Sequence, residues 1–287
     1  MLNSIFFYVI SLCLTGLIST VFYKYSLFSR YFAGIVNTLF SLILLVFLVI
    51  KFPGVQSESV SINWSLPLGG FHAGFDHLSL YFMIPLLILA AGCSIYGTRY
   101  FKEHKAGRPH WLYYGLLVAG MVMVLISRNI VLFMISWEVM SFSSFLLVIS
   151  EAGKESVRRA GWIYFITAHI GTAFLFALFF LLGTEARTFD FELFGRASFT
   201  VGRSNLIFIF GLIGFGLKAG FIPFHIWLPL AHPAAPSHVS GLMSGIMIKM
   251  GIYGILRVLT FLPSFQGWWG ILLIILGAAS GIIGILL

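Results

Sequence analysis

Residues 211–251 read GLIGFGLKAGFIPFHIWLPLAHPAAPSHVSGLMSGIMIKMG. Inside an otherwise apolar region this stretch holds Lys218 and Lys249, three histidines (His225, His232, His238) and four prolines (Pro223, Pro229, Pro233, Pro236). An ionisable side chain at bilayer depth is costly, so two lysines here point to a proton or cation path. Prolines remove backbone donors and free carbonyls, which a membrane tolerates only where protein or a water-filled cavity surrounds them. Gly211, Gly214, Gly216 and Gly220 precede the prolines, so a regular helix is not expected through 220–236. The stretch predicts a discontinuous membrane helix, whose freed backbone groups face an ion at mid-depth.

The rest of the chain agrees with a membrane setting. Of 287 residues, 60% are hydrophobic and 9% charged, against roughly 25% charged in soluble domains. Apolar runs of about 20 residues are too long for barrel strands, so the spans are helical. The net charge of +8 comes from basic residues scattered over short connections. Membrane orientation explains that pattern better than nucleic acid does. Cys13 and Cys93 sit in apolar segments and suggest neither a disulfide framework nor a metal site. The first apolar stretch lacks a basic leader and a small-residue cleavage site, so it reads as a retained span.

Apolar windows place nine spans at about 3–23, 32–50, 78–97, 111–127, 129–149, 161–183, 205–222, 237–260 and 268–287. The odd-numbered connections carry nine Lys and Arg and the even-numbered ones six. That excess puts the odd connections in the cytoplasm and the N-terminus outside. The connection at 51–77 alternates around Val60–Leu66 before Gly69 and Gly70, which predicts a short hairpin on the outer face. Trp111, Trp162, Trp268 and Trp269 read as interfacial belt residues, and Trp137 and Trp227 as anchors beside the polar groups.

Three charges fall well inside spans: Glu138 in LFMISWEVMSFSSFLL, Lys218 and Lys249. Burial lowers a lysine pKa and a nearby carboxylate raises it, so a Glu138–Lys218 pair is expected either to gate protons or to hold two helices as a static ion pair. Pro236 suits the first turn of the next helix, along which His238, Leu242, Gly245 and Lys249 follow the 3–4 spacing of one face. His225, His232 and His238 can relay protons through two ring nitrogens. His169, in YFITAHIGTAFLF, either extends that path or bonds to a neighbouring carbonyl. His72, His77, His104 and His110 fall in connections and need no special role. No carboxylate or cysteine accompanies the three histidines of the broken region, so no metal is expected. Without a P-loop, dinucleotide fingerprint or CxxC, no cofactor is expected either.

WEVMS, with Glu138, followed by KAGFIPFHIWLPLAHPAAPSHVSGLMSGIMIKMGIYGILR, resembles the antiporter-like membrane subunits. These are shared by respiratory complex I, Mrp-type cation/proton antiporters and energy-converting membrane-bound hydrogenases. The wording of the motif is nearest the hydrogenase and formate hydrogenlyase branch. The resemblance is sharpest over about 130–257 and extends to FDHLSLYF at 75–82. It implies that Glu138 is the fifth-helix glutamate, Lys218 its partner in the broken seventh helix and Lys249 the eighth-helix lysine that passes protons on. His225 and His238 would line the half-channel between them. Such subunits have about 14 spans built from two inverted five-helix repeats. The implied organisation is therefore N-terminal helices in 1–110, the first repeat in 111–260 and the start of a ninth helix in 261–287. With the second repeat missing, a fragment, a truncated reading frame or half of a split subunit is expected.

The resemblance implies a proton-translocating subunit in a prokaryotic plasma (inner) membrane, assembled with other membrane subunits and with peripheral redox subunits, and doing no redox chemistry itself. Two further readings stand beside it: a Na⁺ or K⁺/H⁺ antiporter subunit of an Mrp-like assembly, and a structural scaffold that transports nothing.

Overall fold

Long apolar runs in a medium without water can satisfy their backbone polar groups only by closing them into helices. The computed structural model describes residues 1–24, 26–51, 58–62, 70–103 and 109–286. It follows the expected order: α1 (Leu2–Val21), α2 (Ser26–Lys51), β1 (Glu58–Ile62), β2 (Phe71–Phe75), α3 (His77–Glu103), α4 (His110–Ile126), α5 (Ile130–Val148) and α6 (Glu155–Ala186). The short α7 (Phe191–Phe194) precedes α8 (Val201–Ala219), α9 (Leu228–Ala234), α10 (Ser237–Leu242), α11 (Ile248–Phe261) and α12 (Gly267–Leu286). Among the described residues eight helices, counting α10 and α11 as one, are long and apolar enough to cross a membrane. The remaining expected span is α4, which at 17 residues is shorter. It compensates by position, since it packs between α1 and α5 and is buried round most of its circumference.

Close helix approach sets this packing, as expected where lipid is as apolar as the side chains. A Cβ on Gly16 would lie 2.6 Å from Leu112 Cα, and one on Gly115 would lie 2.6 Å from the Leu12 carbonyl oxygen. These glycines let the α1 and α4 backbones touch. α6 packs on α8, α8 on α11, and α10 on α3. α12 lies at the periphery, where Trp269 alone is buried, stacked 4.7 Å from Phe208 with its indole N–H donated to Asn205 Oδ1.

The broken helix is present. α8 stops at Ala219, and Gly220 adopts φ 66°, the left-handed cap that glycine reaches without strain. A Cβ there would also meet Leu228 Cδ1 at 2.2 Å. Within 220–236 the chain forms one seven-residue helix, α9, with Pro229 in its first turn and Pro233 inside it. Pro236 caps α10 rather than opening its first turn. A second irregularity was not expected: Met243–Met247 is a π-turn between α10 and α11. Its extra residue moves Lys249 off the stripe that 3–4 spacing gives it with His238.

The expected hairpin pairs antiparallel, with Val60 opposite Ala73; residues 63–69, including Leu66, lie outside the described residues, as do His104, Lys105, Arg108 and Leu287. Trp162 and Trp268 are exposed as belt residues should be, but Trp111 and Trp269 are buried. Each of these two packs against aromatic neighbours, Trp111 on Tyr114 and Trp269 on Phe208.

The hairpin end is held by one carboxylate between two buried arginines. Asp76 accepts from Arg257 Nη1 at 2.6 Å and Nη2 at 2.9 Å, and Arg128 Nη2 lies 3.3 Å away. Ser79 Oγ accepts from Arg128 and donates to the Leu125 carbonyl, so α3, the α4–α5 corner and α11 share one network. Burial pushes the Asp76 pKa up, but the Arg257 hydrogen bonds and the charges of Arg128 and Arg257 outweigh it and hold the carboxyl well below its usual range. Asp76→Asn strands two buried guanidinium groups. It should lower the unfolding free energy by about 3–5 kcal/mol, read as a drop in Tm of the purified protein in detergent; an unchanged Tm would remove the clasp from the account. In wild type this contribution is complete above about pH 4, the unfolded carboxyl's range, and fades as the pH falls below it.

Candidate functional site

The structure places the expected residues on α5, α6, α8, the turns and short α9 of the break, and the α10–α11 composite, but pairs them differently. Glu138 lies midway along α5, whose N-terminus is capped by Asn129 accepting from the Val131 N–H at 2.8 Å. Its carboxylate does not meet Lys218. Oε1 accepts from Thr172 Oγ1 at 2.6 Å, and Oε2 lies 3.5 Å from His169 Nε2, both on α6. His169 Nδ1 is 2.9 Å from the Phe165 carbonyl. A carbonyl has no hydrogen to give, so Nδ1 carries one. Nε2 then bears a lone pair facing a carboxylate unless the pair holds one more proton. That proton sits either on His169, making an ion pair, or on Glu138, making an acid that donates to Nε2. The ring thus makes the expected carbonyl bond and also reaches the Glu138 carboxylate.

Lys218 is 3% exposed and occupies the last turn of α8. Its ammonium donates to Ser141 Oγ and to Tyr164 Oη, each at 3.0 Å. It also lies 5.9 Å from the Trp137 ring centre and 5.4 Å from that of Tyr164. Negative helix-end carbonyls and aromatic faces both favour a cation at this position. Among the described residues no carboxylate is within ion-pair distance of it, which corrects the expected Glu138–Lys218 pair. Ser141, which accepts from the ammonium, is one turn on from Glu138, about 4.5 Å along the axis.

The hydroxyl of Tyr164 is the junction that charge-based reading missed. It shares a 2.6 Å hydrogen bond with Ser144 Oγ and reaches Met247 Sδ, in the π-turn, at 3.8 Å. That turn also holds Lys249, whose ammonium donates to the Ser244 carbonyl at 2.5 Å. Ser141, Ser144 and Tyr164 are neutral residues in apolar helices, where they read as ordinary packing. Their only sequence signal is position: Ser141 and Ser144 sit three and six residues after Glu138.

The anchoring role expected of Trp227 is realised. It is buried, donates its indole N–H to the Leu217 carbonyl at 2.8 Å and lies 4.8 Å from the Tyr164 ring. It thereby ties the broken segment to the last turn of α8. His232 lies over Trp227 and has Nδ1 3.3 Å from Ser240 Oγ. His225 borders a cavity of about 540 Å³ that also touches His232, Pro229, Pro233 and Ser280. Its Nδ1 is buried without a hydrogen-bond partner among the described residues. Pro223 follows a cis peptide bond at Ile222. His238 is buried away from these groups, 2.8 Å from His110. The expectation that His110 lies in a connection is corrected: it opens α4 and is buried.

The model of the family described as NADH:quinone oxidoreductase/Mrp antiporter, transmembrane, matches residues 127–287. The chain is 40% identical over 216 residues to Hydrogenase-4 component B of Escherichia coli (strain K12), covering 74% of this chain and 32% of that protein. It thus spans about a third of that relative's length. In fold it is similar to a chain of the membrane-bound sulfane sulfur reductase, an archaeal respiratory membrane complex, with TM-score 0.73, 21% identity and coverage of 89% of this chain and 40% of that one. It is equally similar to a chain of the Mrp complex from Dietzia sp. DQ12-45-1b, with TM-score 0.73, 20% identity and coverage of 88% and 28%. With a buried lysine beside its broken helix and more than half its length matched, this chain belongs to the NADH:quinone oxidoreductase/Mrp antiporter membrane family.

Proposed function

We propose that this chain forms the first half-channel of a proton-translocating, antiporter-like subunit. It would work within a hydrogenase-, formate hydrogenlyase- or NADH:quinone oxidoreductase-type complex of a prokaryotic plasma membrane. Residues 111–260 form its functional repeat, residues 1–110 brace it and residues 261–287 begin the next helix. Redox chemistry belongs to partner subunits. The observation that carries the reading is a buried lysine whose ammonium donates to two hydroxyls, Ser141 Oγ and Tyr164 Oη, with Ser141 one helical turn from a carboxylate that faces a histidine.

The steps follow from those contacts. With Glu138 ionised and His169 neutral, the pair is negative and favours the ammonium form of Lys218. When the pair takes up a proton, that support is withdrawn. Loss of that negative charge removes a Coulombic attraction that is stronger in low-dielectric surroundings than in water. Lys218 then passes a proton to Tyr164 Oη, which releases its own hydrogen toward Ser144 or the π-turn, and Lys249 lies beyond that turn. His225 and His232 border the cavity through which water can reach the break.

A second reading, exchange of Na⁺ or K⁺ for H⁺ in an Mrp-type assembly, is supported by the equal likeness to the Mrp complex. Loss of activity on removing Na⁺ and K⁺, with H⁺ gradients unchanged, would select it.

In the assembled complex, Lys218→Ala and Glu138→Gln should each cut coupled proton movement by on the order of 10²-fold while the complex still purifies intact. Undiminished proton movement in either variant overturns the reading in favour of a scaffold. Tyr164→Phe removes the junction but keeps the ring, and should slow proton movement by on the order of tenfold or more. It should also cost about 1–3 kcal/mol of stability through the hydroxyl partners left unpaired, checked by Tm.

A further inference from the structure

His110 and His238 come from distant parts of the chain and meet at 2.8 Å through their Nε2 atoms. Two lone pairs cannot face each other at that distance, so one Nε2 carries a hydrogen and the other accepts it. Both rings are buried, at 4% and 2% exposure. They sit where α4 and α10 begin, just past residues 104–108 in the chain and at the far side of the helix break. Tyr100 from α3 and Trp111 and Tyr114 from α4 surround His238 at ring separations of 5.4, 6.2 and 6.0 Å. Gly97 on α3 leaves room for the ring, since a Cβ there would stand 3.1 Å from His238 Cδ2. Among the described residues, the titratable groups that face the pair from α3 and α4 include the phenols of Tyr100 and Tyr114. Aromatic faces on several sides support an imidazolium that burial alone would disfavour.

We propose that His110 and His238 form a proton-relay dyad. It would connect the end of the bundle where α4 begins to the π-turn and Lys249, about 16 Å further along the α10–α11 composite. The inference rests on the proton-path reading above and adds His110 to it. The transfer balances as follows. One ring starts with hydrogen on Nε2 and the other with hydrogen on Nδ1. A proton arriving on Nδ1 of the first ring makes it an imidazolium, and its Nε2 hydrogen crosses the 2.8 Å gap to the partner's Nε2. The partner then releases its Nδ1 hydrogen. One proton enters and one leaves, no bond other than N–H is made or broken, and both rings end in the opposite tautomer. The dyad is then set for passage the other way, so each net forward transfer requires the tautomers to reset.

The test uses the assembled complex and pairs two measurements. In protein labelled with ¹⁵N in the histidine rings and held in lipid, the N–H···N bond should give a coupling between two imidazole nitrogens that disappears in His110→Gln. Absence of that coupling in wild type overturns the dyad whatever the transport result. His110→Gln keeps a hydrogen-bonding side chain beside His238 but cannot carry a proton as a cation. It should slow coupled proton movement by on the order of tenfold or more, and His110→Lys, which restores a titratable group, should recover part of the rate. If His110→Gln moves protons like wild type while Lys218→Ala does not, the path stands and the dyad's role falls. If both variants transport normally, the path reading itself fails, and the relay with it.

Discussion

Lys218 Nζ sits at the end of α8, two residues before the chain turns at Gly220. Its hydrogen-bond partners are Ser141 Oγ and Tyr164 Oη. In water such an ammonium would be solvated from every side, but inside a bilayer the protein must supply that solvation. Three helices therefore have to hold their relative positions: α5 brings Ser141 and Trp137, α6 brings Tyr164, and α8 brings the lysine and its own terminal carbonyls. Trp227 locks the arrangement from the broken segment by holding the Leu217 carbonyl and packing on Tyr164. Shifting any one of these elements leaves a buried cation short of partners, a cost of several kcal/mol in an apolar medium.

This dependence explains why the helix breaks where it does. A continuous α8 would give its last carbonyls to backbone N–H groups and take away the negative end beside Lys218. The same logic recurs at Lys249, whose ammonium takes the Ser244 carbonyl within the π-turn. Each of these lysines is stationed beside a local failure of regular helical hydrogen bonding, and Lys249 draws a hydrogen-bond partner from it.

The bundle was legible in the sequence because apolar run length is set by membrane thickness, and all nine expected spans correspond to helices. Glu138, Lys218 and Lys249 were legible because charge is rare in such runs. Their pairing was not. Opposite charges at similar depth suggest a Glu138–Lys218 contact, yet depth says nothing of azimuth, and Glu138 turns toward Thr172 and His169 on α6. Tyr164, Ser141 and Ser144 carry no charge and do not stand out from packing residues. The π-turn has no compositional mark in SGLMSGIMIKMG, and the one-residue slip it introduces undoes the 3–4 stripe from His238 to Lys249. His110 was hidden for a different reason: it follows Arg108 and Pro109 and so reads as loop, while its partner lies 128 residues further along the chain.

The separation of Glu138 from Lys218 bears directly on mechanism. A direct buried ion pair would stabilise both charged forms together and make removal of either proton costly, which suits a fixed strut better than a carrier. Here the carboxylate faces an imidazole, and the ammonium donates to two neutral hydroxyls. In the proposed path neither Glu138 nor Lys218 is the other's direct ionic partner, and one turn of α5 separates Glu138 from Ser141, which accepts from the ammonium. Glu138 and His169 are also the less buried pair, with side-chain exposures of 35% and 40% against 3% for Lys218 as a whole. In the proposed path Lys218 is thus the more enclosed of the two sites.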